Sequence, residues 1–229
     1  TTIKYDRANN LLNLDPLKLT WNDTALEGTA TINQLSTDPI ISGSMSMNPT
    51  DVGALLKKMD PYYANSNAKL THTLQMKTGY SYSPKDQILD LTKLNLQIDK
   101  GVLSGDAKLG LVSPYHAEFT LSADNLDFAP LTMLGSALFP SIHTMTALPM
   151  DFIKNISVSG KFSGTQLAIN HDIMIDQLHL EVNGQGGVIQ FTPVIINAYG
   201  GTHNVGFSID ATKQDPEFML NEQADKVDL

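Results

Sequence analysis

Six histidines are the first residues to examine for chemistry, because imidazole serves both as a metal ligand and as a general base. They are His72, His116, His143, His171, His179 and His203. No two of them are spaced as His-x-His or His-x3-His, the spacings that place two imidazoles on one face of a strand or a helix. We therefore interpret them as surface or turn residues and predict neither a metal site nor a cofactor.

Motifs for covalent and phosphate chemistry do not occur in the sequence, which has no Gly-x-Ser-x-Gly elbow, P-loop or calcium loop. The stretch 199–201, Tyr-Gly-Gly, has the form of an oxyanion turn, but no Ser–His pair lies near it, so a hairpin or bulge is the preferred interpretation. Asp90 and Asp99 could pair as catalytic carboxylates, yet strand-end and turn positions explain them better. We predict that the protein is not an enzyme.

The charge balance argues against a nucleic-acid partner. Asp and Glu number 24 against 15 Lys and Arg, which gives a net charge of −9, and Arg7 is the single arginine. A protein that binds nucleic acid needs a dense cationic face. The absence of cysteine also excludes a disulfide scaffold and cysteine-ligated zinc.

Period-two alternation of apolar and polar residues is the dominant pattern, and it predicts strands with one apolar face. The apolar members of the three clearest runs, at 17–21, 94–98 and 178–182, are Leu17, Leu19, Trp21, Leu94, Leu96, Ile98, Leu178, Leu180 and Val182. Turn residues follow the runs at 22–24, 99–101 and 183–187, which predicts a return strand after each and a meander of antiparallel hairpins. We predict that these nine residues form one continuous apolar face.

An internal repeat relates residues 17–32 to residues 94–109 at a constant offset of 77. Repeats of a strand–turn–strand unit are typical of extended β arrays. Gly28 and Gly105 occupy equivalent positions inside the return strands, where glycine usually marks a bulge, a bend or a close backbone approach. A bend at the same place in each unit would curl the sheet into a trough.

Two short helices are predicted between the strands. Residues 50–59 place Val52, Leu56 and Met59 at helical spacing, with Thr50 or Asp51 as the N-cap. Residues 127–138 repeat this arrangement. The segments 61–69 and 79–87 are rich in turn residues and are interpreted as loops.

The fold class predicted is mainly β with a few short helices, in which repeated antiparallel hairpins curl into an elongated open groove. The organisation expected is a first β-groove segment over 1–138, a linker or short helix over 139–155, and a second segment over 156–229 that is truncated at its end. A closed sandwich core would show the same alternation, so periodicity leaves both architectures open.

Several stretches resemble the AsmA family. They are residues 47–59, Leu70-x-x-x-Leu74, Leu94-x-Leu-x-Ile-Asp-x-x-Val-Leu-Ser-Gly105, residues 121–131, Ile156-x-Val-x-Gly160, Ile175-x-x-Leu-x-Leu180, Gly187-x-Ile-x-Phe-x-Pro193 and Ala198-Tyr-Gly-Gly201. The family commonly has Leu-Tyr-Gly-Gly at the last of these, followed by a Gly-containing strand and Asp-Leu. Ala198 departs from that pattern, whereas Gly206 and Asp228-Leu229 fit it. The resemblance runs from about Leu11 to Leu229 and favours the open trough.

This resemblance implies a protein of the Gram-negative envelope. AsmA-like proteins are anchored in the inner membrane by one N-terminal helix, which would lie outside this sequence, and project a β-rich body into the periplasm. The trough of such a body would hold phospholipid or other acyl lipids, which would link the protein to lipid transport between the two membranes and to outer-membrane biogenesis. Other envelope proteins are possible partners.

A second hypothesis needs no lipid. The chain could be a structural or adhesion β module that binds a protein partner through a sheet edge. The two hypotheses differ in whether the apolar face is accessible and takes up acyl chains.

Overall fold

The structure is a computed structural model that describes residues 1–21, 24–59, 72–132, 150–169 and 172–226. Within those ranges, thirteen strands form a single open sheet in which the spatial order follows the order along the chain, from β1 at one edge to β13 at the other. The prediction of a mainly β fold with few short helices is confirmed. No second sheet lies over the first in the described part of the chain, so the sandwich alternative is excluded there.

The strands are β1 (Thr2–Asp6), β2 (Leu11–Trp21), β3 (Thr24–Asn33), β4 (Ile40–Asp51), β5 (Thr73–Ser83), β6 (Ile88–Ile98), β7 (Gly101–Gly110), β8 (Tyr115–Asp124), β9 (Ile156–Ala168), β10 (Met174–Gln185), β11 (Val188–Ala198), β12 (Gly201–Asp210) and β13 (Glu217–Asp225). Most are 10 to 13 residues long. At about 3.3 Å per residue they give the sheet a width of roughly 35–40 Å.

Helix α1 (Val52–Met59) follows β4, as the apolar spacing predicts. The side chain of Asp51 accepts a hydrogen bond of 2.9 Å from the N–H of Ala54, which makes Asp51 the N-cap. In the second predicted helix, residues 129–132 are helical and Asp127 caps them through the N–H of Ala129 at 2.8 Å. Residues 133–138 lie outside the described ranges. A further helix, α2 (Met150–Lys154), precedes β9.

The repeat is visible in the strand boundaries. β6 begins at residue 88, which is 77 residues after the start of β2 at residue 11, and β7 begins at residue 101, which is 77 after the start of β3 at residue 24. A third copy lies further along the chain, since β11 begins at residue 188 and β12 at residue 201, each 100 residues after its counterpart. Asp99 and Tyr199 both have positive φ, near 50°, in the equivalent turns.

This third copy shows that the alternating run at residues 178–182 is not the counterpart of the run at residues 94–98. Residues 178–182 belong to β10, whereas the counterpart of β6 is β11. The turn predicted at 183–187 is also shorter, because β10 continues through Gln185 and only Gly186 and Gly187 form the turn. Alternation alone does not show which strand of the repeat a run of residues belongs to. The predicted turn was too long because Asn183-Gly184 has the composition of a turn but lies in a strand.

One pair of neighbours departs from the predicted meander. β8 and β9 are parallel, in register from Tyr115 opposite Ile156 to Asp124 opposite Thr165, while every other pair in the described sheet is antiparallel. A parallel pair needs a crossover, and residues 125–155 supply it. The proposed division at 1–138, 139–155 and 156–229 places its linker in this crossover, where residues 139–149 lie outside the described ranges. The division itself stays a prediction.

The core occupies one end of the sheet. Val52 and Leu56 of α1, Leu126 before the helical turn, and Leu167 of β9 are completely buried. They pack with residues near the strand ends, among them Leu74 and Ile98. In the described part of the chain, no helix as long as α1 lies over the rest of this side of the sheet.

Candidate functional site

The register of the strands defines one apolar face across the whole sheet. An unbroken row of Cα partners crosses all thirteen described strands: Ile3, Leu14, Ala30, Gly43, Tyr80, Leu91, Ala107, Phe119, Gly160, Val182, Phe191, Phe207 and Leu220. Directly paired residues project to the same side of a sheet. No member of this row carries a charge.

A second row, two residues away, also crosses all thirteen strands: Tyr5, Leu12, Ile32, Ile41, Tyr82, Leu89, Leu109, Ala117, Val158, Gly184, Ile189, Ile209 and Phe218. It contains no charged side chain either. The polar residues between the two rows alternate to the opposite side, as the period of a strand requires. We call the surface that carries these rows the apolar face.

The predicted lining residues lie on this face wherever their side chains are described. Leu19, Leu96 and Leu178 share a third row, in which Leu26, Met47, Met76, Leu103 and Ile196 also lie. The others have partners on the same face: Leu17 pairs with Gly28, Leu94 with Gly105, Ile98 with Leu74, Leu180 with Phe162 and Val182 with Phe191. The backbone of Trp21 pairs with Thr24. That these residues hold lipid stays a prediction.

The exposure of these side chains shows an open surface. Ile98 and Val182 are buried, and Leu17, Leu94, Leu96, Leu178 and Leu180 are half-buried. Leu19 is 54% exposed. Leucines in the middle of a sandwich core are buried by the facing sheet. Ile98, Leu96 and Leu178 are also covered by the core at one end of the sheet. Leu17, Leu19, Leu94 and Leu180 are shielded mainly by their neighbours within the sheet, so this part of the apolar face is uncovered in the described part of the chain.

One end of the apolar face is closed by helical segments. α1 covers the ends of β4 to β6, and the stretch 126–131 lies beside the ends of β8 to β10, so that Met76, Leu96, Leu103, Phe128, Leu131, Phe162, Leu178 and Ile196 all pack on the buried core. The rings of Phe128 and Phe162 are 6.3 Å apart. This end therefore presents packed apolar side chains and not a solvent-filled opening.

A shorter cover lies at the opposite end, over the second half of the sheet. In α2, Ile153 is buried, and the ring of Phe152 lies 5.2 Å from that of Tyr115. The N–H of Tyr115 donates a hydrogen bond of 2.7 Å to the carbonyl of Asn155, which fixes α2 to the start of β8. The two helices thus stand at opposite ends of the strands.

Bulges occur at equivalent positions of the three copies. The extra residues lie at 15–16 in β2, 92–93 in β6 and 192–193 in β11. A bulge increases local twist and bends its strand. Gly105, at φ +139°, lies so close to β8 that a Cβ there would clash with the carbonyl oxygen of Thr120. Gly28 makes the equivalent approach to Ser44, so the two copies share a close backbone approach, and the shared bend stays a prediction.

A cavity of about 280 Å³ lies on the apolar face over β2 to β6. Its lining includes Leu17 and Leu19, which are among the predicted lining residues, and Leu26, Met45, Tyr80, Leu89 and Leu91, which are not among them. The signal was present in each case as period-two alternation. Tyr80 and Tyr82 were overlooked because residues 79–83 were interpreted as a loop, whereas they belong to β5.

Tyr80 shows how a polar atom is accommodated on this surface. Its hydroxyl donates a hydrogen bond of 3.1 Å to the backbone carbonyl of Thr29, two strands away. Gly43, its direct partner in β4, has no side chain to separate them. Burial raises the pKa of the Tyr80 hydroxyl, so it stays protonated and satisfied. The apolar face therefore gains no free polar group here.

The opposite face of the sheet is polar and carries the ion pairs. Lys18 contacts Glu27 at 3.0 Å, and Lys161 contacts Glu181 at 2.9 Å. A concavity of about 640 Å³ lies mainly on this polar face, over β5 to β10. Its charges are solvated or paired, and none is a buried group awaiting a ligand. We therefore place the functional site on the apolar face, although the concavity there is smaller.

A polar cluster at the closed end joins α1 to the sheet. The Nδ1 atom of His72 lies 2.6 Å from the Oδ2 atom of Asp99, and the other carboxylate oxygen accepts a hydrogen bond of 2.8 Å from the N–H of Thr73. The carbonyl of His72 accepts a hydrogen bond from the N–H of Val52. Burial opposes ionisation of Asp99, but the hydrogen bonds from His72 and Thr73 outweigh it and hold its pKa below the ordinary value.

The residues considered for catalysis are not assembled into a site. Asp90 lies near the start of β6 and Asp99 directly follows its end, roughly 30 Å away at about 3.3 Å per residue. Tyr199 and Gly200 form the β11–β12 turn. No cluster of three or more metal-ligating side chains occurs among the described residues. Within the same ranges, no helix is both long and apolar enough to cross a membrane.

Comparison with known proteins yields no relative: no family model, no curated protein and no solved structure matches this chain.

Proposed function

We propose that this chain is a lipid-holding body of the AsmA type, which binds the acyl chains of phospholipids along its apolar face without catalysis. The observation that carries the proposal is the pair of uncharged rows that cross all thirteen described strands, with no second sheet above them in the described part of the chain. A surface of this length and composition in water calls for an apolar ligand.

The energetics favour a chain-like ligand. Burial of each CH₂ group contributes about 0.8 kcal/mol, so a few methylenes of an acyl chain suffice for measurable binding. The rows offer no charged side chain to fix a headgroup at one place. A ligand held only by apolar contact can move from one strand to the next at little cost in free energy. Such a surface suits transport better than storage.

The cellular setting belongs to the same proposal. Lipid would pass along the body in the periplasm, between inner and outer membranes, and support outer-membrane biogenesis. An N-terminal helix outside this sequence would anchor the protein in the Gram-negative inner membrane. These statements derive from the AsmA resemblance, and the structure supplies only a surface that fits them.

The direct test is native mass spectrometry of protein purified from a Gram-negative host without detergent. We expect peaks at the mass of the chain plus one or more phospholipids, and loss of the adducts when the lipid is extracted with organic solvent. Protein that carries no lipid, and that takes up none from phospholipid vesicles, would contradict the proposal.

A structural or adhesion module remains the second candidate, because one observation favours it. In the described sheet, strand β13 is paired on one side only and every residue in it is exposed. An uncovered edge strand is suited to pairing with another strand. This role is compatible with an apolar face that binds lipid, since the edge and the face are different surfaces.

A further inference from the structure

The cavity of about 280 Å³ over β2 to β6 is long and narrow. Its lining begins with Leu17 and Leu19 in β2 and ends with Leu89 and Leu91 in β6. Neighbouring strands lie about 4.8 Å apart, so four spacings separate β2 from β6 by roughly 19 Å along the sheet. A volume of this size spread over that distance is about as wide as one hydrocarbon chain.

A glycine provides part of the space. Gly28 pairs with Leu17 on one side and with Met45 on the other, so no side chain stands between these two. The backbone of Ser44 leaves no room for a Cβ at residue 28, which keeps this position open. The cavity is therefore built into the backbone and does not depend on the conformation of one side chain.

Tyr80 forms a fixed part of the lining. Its hydroxyl donates a hydrogen bond of 3.1 Å to the carbonyl of Thr29, and this bond holds the ring across β4. A ligand in the cavity meets the ring and no free polar group. Because this part of the wall is ordered before a ligand arrives, less entropy is lost on binding.

The charges around the cavity leave no place in it for a headgroup. Glu27 borders the cavity, but its carboxylate is paired with Lys18 on the polar face, 3.0 Å from the Nζ atom. The side chains that line the cavity from the apolar face are uncharged. An ionic headgroup would lose its hydration there without gaining a counter-charge. The occupant that fits is an apolar chain.

The two copies of the sequence repeat differ at this place. Leu96 is the counterpart of Leu19 at the offset of 77, and it packs on the buried core that includes Leu56 of α1. Leu19 itself is 54% exposed and lines the cavity. The cavity is therefore a discrete position on the apolar face, and the same residues of the second copy are used for stability.

We propose that this cavity is a docking position for one acyl chain, which lies across the strands from β2 to β6 and is held there more tightly than elsewhere on the apolar face. The inference rests on the proposed lipid function and adds to it the number, direction and length of the bound chain. An apolar cavity of about 150 Å³ holds benzene, which has six carbons. By the same measure, a cavity of about 280 Å³ holds roughly eleven carbons of a chain.

A series of chain lengths tests the proposal on the wild-type protein. Saturated fatty acids from hexanoate to hexadecanoate, each below its critical micelle concentration, would compete with a fluorescent fatty-acyl probe. Affinity should rise about fourfold per methylene up to roughly eleven carbons, and by less than about twofold per methylene beyond, because further methylenes leave the cavity for the open surface. A rise that keeps the same slope through hexadecanoate, or a sterol that binds as tightly as dodecanoate, would overturn the proposal.

Two tryptophan variants locate the site. Met45→Trp should fill the cavity and weaken dodecanoate binding at least about tenfold while circular dichroism stays unchanged. The matched control is Ile189→Trp, because Ile189 is also half-buried on the apolar face but lies in β11, away from the cavity. This variant should bind dodecanoate as the wild type does.

The outcomes separate this inference from the function on which it rests. Protein that carries phospholipid, yet shows no break in the series of chain lengths and no difference between the two variants, would refute the docking position alone. Protein that binds no lipid of any length would refute both.

Discussion

Leu19 shows most clearly, at the scale of single residues, what distinguishes the apolar face from a core. It is 54% exposed and lines the cavity over β2 to β6. The adjacent Thr20 projects to the polar face of the same strand. Leu19 and Thr20 are neighbours in β2, both are exposed, and their side chains project to opposite faces of the sheet. They therefore offer a matched pair of positions for substitution.

Leu19→Asp should lower lipid binding while the fold survives. The carboxylate would remain largely hydrated, so the free energy of unfolding should change by about 1 kcal/mol or less. Its charge would oppose the approach of an acyl chain, and we expect binding of a fluorescent fatty-acyl probe to fall at least about fivefold. Thr20→Asp should leave probe binding unchanged. Equal losses in the two variants would show that binding does not depend on the apolar face.

Leu56 represents the opposite case, a residue that the structure assigns to stability. It is completely buried between α1 and the sheet. Leu56→Ala should lower the free energy of unfolding by about 2–5 kcal/mol through lost burial and a cavity. Lys57→Ala, on the exposed side of α1, should change it by less than about 0.5 kcal/mol. Urea unfolding measures both, and a tolerated Leu56→Ala would mean that α1 does not close this end.

Asp99 gives the structure a defined dependence on acid. Its pKa is lowered in the folded state, so it stabilises the fold above its ordinary pKa of 3.8, and that contribution disappears as the pH falls through the lowered value. The side chain is partly exposed, which limits the contribution to about 1 kcal/mol. The stability difference between wild type and Asp99→Asn should therefore be constant above about pH 4 and shrink as the pH is lowered from there through the lowered pKa. A difference that grows with acidity would contradict the assigned pairing with His72.

Among the elements, the bulged hairpins repeat from copy to copy. Each of the three copies places its bulge opposite the same position of its return strand, at Thr29, Asp106 and Gly206. Gly105 and Gly206 therefore occupy neighbouring positions of equivalent strands. Their surroundings differ, because Gly105 abuts β8 while the space around Gly206 is open.

Gly105→Ala should destabilise the protein and Gly206→Ala should not. A methyl group at residue 105 would need both the positive φ of +139° and a clash with a backbone oxygen, which costs about 2 kcal/mol or more. At residue 206 the nearest atom would be 3.8 Å away, so alanine there should be neutral or slightly stabilising. Thermal unfolding of both variants tests whether the close approach is real. A neutral Gly105→Ala would argue against the close approach.

The sequence predicted those strands and helices whose local residue pattern agrees with the structure that they adopt in the fold. The alternation at 94–98 and the turn after it gave β6 and β7, and the cap at Asp51 gave α1. The prediction of a loop at residues 79–83 is wrong. Gly, Ser and Tyr there have the composition of a loop, but pairing with β4 and β6 holds these residues in a strand. In the same way Asn183-Gly184 looked like a turn but lies inside β10.

At the scale of the whole molecule, the order of the strands was predictable only in part. Successive hairpins follow from short turns, but the parallel β8–β9 pair depends on a crossover through residues 125–155, for which alternation carries no signal. The continuity of the apolar rows likewise depends on register across twelve pairs of strands. The alternation within one strand shows which of its residues share a face. Whether the faces of neighbouring strands join into one surface depends on the register in which the strands pair.

The central claim is that lipid contacts one face of the sheet along its length, and site-specific photo-crosslinking tests it most directly. A photoreactive amino acid would be placed singly at each residue of 94–97 and 178–181, and protein from cells grown with radiolabelled phosphate would be irradiated and examined for labelled phospholipid. We predict strong adducts at Leu94 and Leu180, weaker ones at Leu96 and Leu178, which pack on the core at the closed end, and little or none at the four alternate positions, Asn95, Gln97, His179 and Glu181. Adducts of equal strength at neighbouring positions, or none at any position, would contradict the account.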